Sequence, residues 1–185
     1  MNKNNLEEYR SKYNIDKILT LLKNKGTKVI DRWSAEMVNV TNSNIDVPVP
    51  PGEVCDMRIL QIYDSTHDIS PGIAEFFKDE ITILKSIPNL DRALYVFVSP
   101  NTVIPKHCDD DDLCFRIVYG INTPSNNTDT VGLVIEDHAV NIGFGEVVGL
   151  KADVDHWGWN NTNEYWSVLT LCVEDKVLDE LRKIY

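Results

Sequence analysis

Three side chains of this sequence could together bind a metal ion. His107 and Asp109 stand two residues apart in the segment Pro105–Asp109, and residues two apart on an extended segment point to the same face. A third ligand, His156, follows a predicted strand over 145–151 and lies 49 residues after His107. Two neutral imidazoles and one carboxylate form the facial triad that leaves neighbouring positions open on Fe(II). The spacing therefore favours a non-haem iron site.

The same residues also have interpretations without iron. Asp109 opens an aspartate run over Asp109–Asp112, which is typical of a solvated loop. His156 stands next to Trp157 and could be a packed, hydrogen-bonded histidine. The aspartate run lacks the alternating ligands, central Gly and bidentate Glu of an EF-hand, so a calcium loop of that kind is not predicted.

The two remaining histidines are weaker candidates. His67 lies in the turn-like segment Asp64–Asp68, which is another candidate for a metal site or a helix N-cap. His138 follows Asp137 at a predicted hairpin tip. For both histidines we favour a structural role.

The first half of the chain has mainly helical patterns. Apolar residues recur at helical spacing over Leu6–Lys25, and Gly26 stands at the position of a C-cap. The alternation over Met57–Tyr63 predicts a strand. Ser70-Pro71 opens a second predicted helix that ends near Ile87, and a short helix over Val177–Tyr185 closes the chain.

The pattern changes to strands from residue 92. Six short β-branched or aromatic runs, separated by Pro, Gly, Asn and Asp, predict antiparallel sheets arranged as a sandwich or jelly roll. We therefore expect a mainly β, α+β fold in a single domain over 1–185. Its parts are a helical N-terminal part (1–91) with one or two strands, a jelly-roll core (92–173) and a C-terminal helix (174–185).

Composition disfavours several classes of partner. The chain has 185 residues, which corresponds to about one domain. Its 18 basic and 29 acidic residues give a net charge of −11, which disfavours binding to nucleic acid or to anionic membranes. The longest apolar run has six residues, Ala93–Val98, far short of the ~18 that a membrane span needs. The N-terminus has no secretory pattern, so we expect a cytoplasmic protein. The four cysteines are dispersed and indicate neither a disulfide scaffold nor a zinc knuckle.

The C-terminal motifs carry a family resemblance. PKHCD, LCFRIVYGI, VGLVIED, HWGWN and WSVLTLCV follow one another in order, and over roughly residues 92–173 the chain resembles the aspartyl/asparaginyl β-hydroxylase family. The resemblance implies a double-stranded β-helix, the cupin-like form of the jelly roll, which holds Fe(II) and uses 2-oxoglutarate and O₂ as cosubstrates. It also implies that His107, Asp109 and His156 are the catalytic iron ligands.

The resemblance further implies which residues contact the cosubstrate. Arg116, nine residues after His107, matches the arginine that contacts the 2-oxoglutarate carboxylate. The alternative is an exposed arginine of the strand that pairs with the neighbouring aspartates. Asn160 matches a family Asn that follows the distal histidine and hydrogen-bonds near the site. The family has a second arginine ten residues after that histidine, where this chain has Trp166. A tryptophan supplies one N–H and no charge. In the mechanism that the resemblance implies, Trp157 and Trp159 either shield the site from water or are core aromatic residues under the mouth of the barrel.

Three consequences of Trp166 stay open at this stage. Arg116 could bind 2-oxoglutarate in a shifted pose, aided by Lys151 or by a hydroxyl. Candidate hydroxyls are those of Ser99, Ser167 and Thr170. Alternatively, the iron could oxidise a substrate without 2-oxoglutarate, or the fold could be a non-catalytic binding module.

The sequence limits the substrate only broadly. Because no peptide-binding repeats are present, we expect a small amino-acid-like molecule or a short peptide. Asp110–Asp112, next to the expected iron ligands, would favour a cationic one. Another possibility is a structural protein that dimerises through the helix over Leu6–Lys25.

Overall fold

The computed structural model describes residues 3–109, 114–151 and 153–174. The described helices are α1 (Lys3–Lys12), α2 (Ile15–Lys25), α3 (Lys28–Trp33), α4 (Pro71–Phe76) and α5 (Lys78–Leu84). The described strands are β1 (Val38–Thr41), β2 (Asp56–Asp64), β3 (Leu90–Val98), β4 (Thr102–His107), β5 (Cys114–Asn122), β6 (Val131–Ile135), β7 (His138–Val140), β8 (Val147–Lys151), β9 (His156–Asn160) and β10 (Trp166–Glu174).

The strands form two sheets that face each other. The larger sheet has the order β1-β2-β3-β10-β5-β8, and the smaller one has the order β4-β9-β6-β7. Every strand pair within them is antiparallel. Two facing antiparallel sheets with these long crossovers form the jelly roll, or double-stranded β-helix, that the sequence predicts.

Strand β10 shows how the fold divides into two apolar layers. Leu169 and Leu171 point outward into the core beneath the helices, whereas Trp166 and Val168 point between the sheets. Because successive side chains of a strand alternate between its faces, a strand covered on both sides must be apolar at nearly every position. The inner face of this strand forms one wall of the space between the sheets.

The helices cover the outer face of the larger sheet. Helix α2 packs against β5 and α5, and α1 packs against β8. In α2 the buried residues are Ile15, Ile18, Leu19 and Leu22, all without solvent exposure. Each such side chain contributes roughly 1.5–3 kcal/mol through burial. This apolar face of α2 is therefore buried inside the fold. Its burial gives no support to the prediction that the helix is a dimer interface.

Two predicted helices are interrupted in the structure. The helix expected over Leu6–Lys25 is α1 and α2, which are separated at Asn14, a residue in the left-handed conformation with φ 54°. Asn adopts that conformation more readily than other non-glycine residues. The helix expected from Ser70 to Ile87 is α4 and α5, with a break at the buried Phe77 (φ −106°). Gly26 caps α2 as expected, and its N–H donates to the Leu22 carbonyl.

The sequence patterns missed several short elements. Helix α3 and strands β1, β4 and β9 were not predicted as such, although the segment of His107 was expected to be extended. Two expectations, the C-terminal helix over 177–185 and the acidic run 110–112, lie outside the described residues. None of the described helices is long and apolar enough to cross a membrane.

Candidate metal centre and adjoining cavity

The pairing of β4 with β9 brings the two predicted histidine ligands together. His107 is the direct partner of His156 across these antiparallel strands. Their ring centroids are 4.2 Å apart with the planes inclined at 50°. A sequence separation of 49 residues thus becomes side-by-side placement at the edge of the space between the sheets.

Each imidazole is oriented by a backbone carbonyl. His107 Nδ1 lies 2.8 Å from the Pro105 carbonyl oxygen, and His156 Nδ1 lies 3.0 Å from the Val154 carbonyl oxygen. When Nδ1–H donates to these carbonyls, the lone pair is on Nε2, the atom that would bind the metal. Metal-binding histidines typically have this second hydrogen bond, which fixes both tautomer and ring orientation.

Asp109 completes the triad. Its Oδ1 lies 3.9 Å from His107 Nε2, and its Oδ2 lies 3.6 Å from His156 Nε2. One donor atom from each of the three residues falls within 4.8 Å of the others. The three side chains are 11–20% exposed, so the site is shielded but accessible. The structure therefore brings together all three residues that the sequence singled out as metal ligands.

The electrostatics of the site favour the neutral form of the His156 imidazole. Burial of the ring lowers the pKa of His156, and the neighbouring His107 acts in the same direction. The Val154 carbonyl and Asp109 oppose this shift in pKa without reversing it. Because a histidine must be neutral to bind a metal, this environment prepares His156 for that role.

Arg116 lies next to the triad on the inner face of β5. Its Nη1 is 3.0 Å from Asp109 Oδ2, and both side chains are 18% exposed. Its neighbours Phe115 and Ile117 point the other way, into the core beneath the helices. The structure thus places Arg116 inside the barrel, beside the three candidate metal ligands.

A cavity of about 260 Å³ extends from the triad between the sheets. Eleven of its eighteen lining residues are Val, Ile or Leu, and Met57 adds a thioether, so the cavity is mainly apolar. Part of this lining comes from β2 and β3, for example Met57, Ile59 and Val96. Our site prediction did not include these residues, although the alternation over Met57–Tyr63 already indicated that Met57 and Ile59 share a face.

Trp166 lines the same cavity and is 2% exposed. No described residue accepts a hydrogen bond from its indole N–H. Along the inner face of β10 the order is Trp166, Val168, Thr170, and Arg116 is level with Cys172. Six residues of strand correspond to about 20 Å, so the backbones of Arg116 and Trp166 lie at opposite ends of the cavity wall.

This arrangement fits one end of 2-oxoglutarate and not the other. Arg116 stands where a carboxylate next to the metal could be bound. Among the described residues that line the cavity, Arg116 is the only cationic one. At the opposite end, a second carboxylate would meet the Trp166 indole and aliphatic side chains such as Val98 and Val168. A buried carboxylate without a cationic partner is strongly unfavourable.

The other residues considered for 2-oxoglutarate binding differ in position. Thr170 lines the cavity. Lys151 is exposed, and Ser99 and Ser167 are buried but are not among the lining residues. Of these four, Thr170 is the residue that a ligand in the cavity would meet.

Asn160, which the resemblance implies as a cofactor contact, has a structural role instead. Its amide Nδ2 donates to the carbonyls of Val98 (3.1 Å), Ser99 (3.0 Å) and Glu164 (2.8 Å). Its Oδ1 accepts a hydrogen bond from the Thr162 hydroxyl at 2.8 Å. Asn160 does not line the cavity, so it fixes the loop between β9 and β10.

The tryptophans beside His156 do not shield the triad. The buried residues of β9 are His156, Gly158 and Asn160. Trp157 and Trp159 point to the opposite face of this strand. There they line a separate groove of about 490 Å³. The expectation that they exclude water from the site is therefore wrong, because alternation along the strand places them outside the barrel.

The remaining histidines do not belong to the group of donor atoms that converge at the triad. His67 is 82% exposed and belongs to a turn organised by Asp64, whose Oδ1 accepts the His67 backbone N–H at 2.8 Å. His138 is exposed at the start of β7.

Comparison with solved structures gives low-scoring similarities. A prolyl-4-hydroxylase from Pseudomonas putida is 16% identical with a TM-score of 0.47, over 78% of this chain and 81% of that one. KdgF from Halomonas sp. is 12% identical with a TM-score of 0.41, over 74% and 91% of the two chains. A cupin domain of a transcriptional regulator from Enterobacter cloacae is 10% identical with a TM-score of 0.42, over 63% and 95%.

Comparison of sequences identifies the family. No curated protein matches the chain. The family model described as aspartyl/asparaginyl beta-hydroxylase matches residues 53–176, about two thirds of the 185 residues. That span contains the His107–Asp109–His156 triad and Arg116. On this match, the chain belongs to the aspartyl/asparaginyl β-hydroxylase family of enzymes.

Proposed function

We propose that this hydroxylase is a non-haem Fe(II) oxygenase in which His107, Asp109 and His156 hold the iron. The observation that carries the proposal is their convergence within 4.8 Å. The carbonyls of Pro105 and Val154 support it further, because they orient both Nε2 atoms as ligands. Two imidazoles and one carboxylate are the donor set that suits Fe(II) with open positions for other ligands.

The proposed reaction is hydroxylation driven by a 2-oxo acid. When bound, the iron supplies the activation of O₂. One oxygen atom enters a C–H bond of the substrate to give an alcohol, and the other enters the 2-oxo acid, which loses CO₂ and becomes a carboxylate. If the 2-oxo acid is 2-oxoglutarate, the carboxylate product is succinate.

The side chains of the protein bind, orient and shield. In this proposal Arg116 binds the carboxylate of the 2-oxo acid next to the metal, and its ion pair with Asp109 (3.0 Å) fixes that ligand. The aliphatic cavity wall excludes water from the site. A dry environment strengthens the charged contacts that hold the reactants in place.

The proposed substrate is a small amino-acid-like molecule or a short peptide. The preference for a cationic one rests on Asp110–Asp112, which lie outside the described residues. It therefore stays a prediction from sequence alone.

Trp166 favours a second candidate, an iron oxidase that uses no 2-oxo acid. In that case the substrate itself provides the electrons and occupies the cavity. Trp166 stands in place of a cation, and its buried indole N–H has no hydrogen-bond partner among the described residues, which supports this alternative.

The test is anaerobic titration of the metal-free protein with Fe(II), followed by a 2-oxo acid. We expect one iron per chain, and His156→Ala should weaken iron binding by at least 10- to 100-fold, since loss of even an outer hydrogen-bond partner has that effect. The matched control is His138→Ala, which removes an exposed histidine and should bind iron like the wild type. Equal iron binding by both variants would refute the ligand assignment.

The 2-oxo acid then separates the two candidates. A weak visible charge-transfer band on its addition would indicate chelation of the iron and support the 2-oxo-acid-dependent oxygenase. Iron binding without that band would favour the second candidate. A chain that binds no iron would be a non-catalytic module.

A further inference from the structure

We propose that the cavity selects a 2-oxo acid whose far end is apolar, in preference to 2-oxoglutarate. This inference rests on the proposed function and specifies its cosubstrate. Three observations carry it. Arg116 is the only cationic residue among the described residues that line the cavity, most of the remaining lining is aliphatic, and the indole of Trp166 is buried.

The end of the cavity next to the metal is built for one carboxylate. The guanidinium of Arg116 presents five N–H donors in a rigid fork, and its Nη1 faces Asp109 at 3.0 Å. A 2-oxo acid that chelates the iron would place its carboxylate beside this group. Arg116 therefore accounts for the requirement that the ligand is an acid.

The far end of the cavity has the opposite character. Trp166, Val98 and Val168 belong to one apolar cluster between the sheets, together with Ile104 and Leu133. Trp166 and Val98 are both 2% exposed, so a group placed there loses its contact with water. The indole N–H is the one polar atom that Trp166 contributes, and a single neutral donor cannot balance a carboxylate charge.

The different character of the two ends of the cavity predicts how tightly two ligands of similar shape would bind. In 5-methyl-2-oxohexanoate an isopropyl group replaces the second carboxylate of 2-oxoglutarate. The carboxylate would be buried without a cation, whereas the isopropyl group would gain apolar burial. We expect the apolar acid to bind at least about tenfold more tightly, which is the effect of about 1.4 kcal/mol.

The experiment measures dissociation constants of both acids for the anaerobic Fe(II) protein, from the charge-transfer band and by calorimetry. Iron content is measured separately on the same samples. The expected wild-type result is preference for 5-methyl-2-oxohexanoate. Trp166→Arg supplies a cation at the far end and should reverse the preference. Trp166→Phe keeps the wall apolar and is the matched control that should retain it.

Each outcome has a defined meaning. An iron-loaded wild type that binds 2-oxoglutarate as tightly as the apolar acid, or that binds neither acid, overturns this inference and leaves the iron site intact. A chain that takes up no iron overturns the proposed function and this inference with it. Because the wild-type comparison needs no variant, the result stands even if Trp166→Arg fails to fold.

Discussion

Replacing Lys25 by Met should destabilise the protein far more than replacing an exposed lysine. Lys25, at the end of α2, donates a hydrogen bond from Nζ to Glu80 Oε1 on α5. The Glu80 side chain has no solvent exposure, and that of Lys25 is 18% exposed. The ammonium group also lies 5.3 Å from the ring centroids of Phe76 and Phe77. The pair therefore joins two helices that cover the outer face of the larger sheet.

The size of the effect follows from the asymmetric burial. Removing one partner of a buried ion pair typically costs 3–5 kcal/mol, because the other charge stays buried without compensation. The partial exposure of Lys25 places the expected loss near the lower limit, at about 3 kcal/mol. For a chain of this length each kcal/mol lowers Tm by about 2–4 °C, so Tm should fall by about 6–12 °C.

The assay is urea unfolding followed by circular dichroism, with thermal unfolding as a second readout. Lys78→Met is the matched control, because the Lys78–Glu75 pair is 63% and 77% exposed and a surface ion pair of this kind contributes little to stability. In the double variant Lys25→Met/Glu80→Leu both charges are removed, and most of the lost stability should return. If Lys25→Met costs no more than Lys78→Met, the assumption that an uncompensated Glu80 charge is costly here is refuted.

Two further predictions concern backbone packing and pH. Gly120→Ala should destabilise by about 1–3 kcal/mol or more, because a Cβ there would collide with the backbone carbonyl oxygens of Ile142 and Gly143; an unchanged urea midpoint would contradict this. Burial alone would raise the pKa of Asp64, but hydrogen bonds from Thr66, His67 and Gln61 hold it well below its usual value of 3.8. A carboxyl whose pKa is lower in the folded than in the unfolded state stabilises the fold at pH values above its unfolded-state pKa. This contribution is lost as the pH falls toward the folded-state pKa. The stability difference between wild type and Asp64→Asn should therefore shrink between pH ~5 and pH ~2, and a constant difference would argue against it.

The local part of the site could be predicted from sequence because it depends on short-range geometry. His107 and Asp109 share a face because successive residues of an extended segment alternate. The same alternation places Arg116 opposite Phe115 and Ile117, and the structure confirms this arrangement. The spacing of His156 from His107 made it the candidate third ligand, and the family resemblance implied the same assignment.

Alternation along β9 explains why one expectation failed. Since His156 faces inward, Trp157 and Trp159 must face outward on a regular strand, and the structure places them there. The strand β9 was not predicted because HWGWN mixes polar and aromatic residues with a glycine. Without a defined strand, the face of each residue could not be assigned.

What the sequence by itself determined was the set of chemical groups: two imidazoles, one carboxylate, one arginine and a tryptophan in place of a second arginine. Only the tertiary structure decided how they are arranged. The register of β4 against β9 sets His107 opposite His156, and the pairing of β5 with β10 separates Arg116 from Trp166 along an aliphatic wall. Strand pairing joins residues that are far apart in the chain, and its register depends on the packing of both sheets at once. No local pattern contains that information.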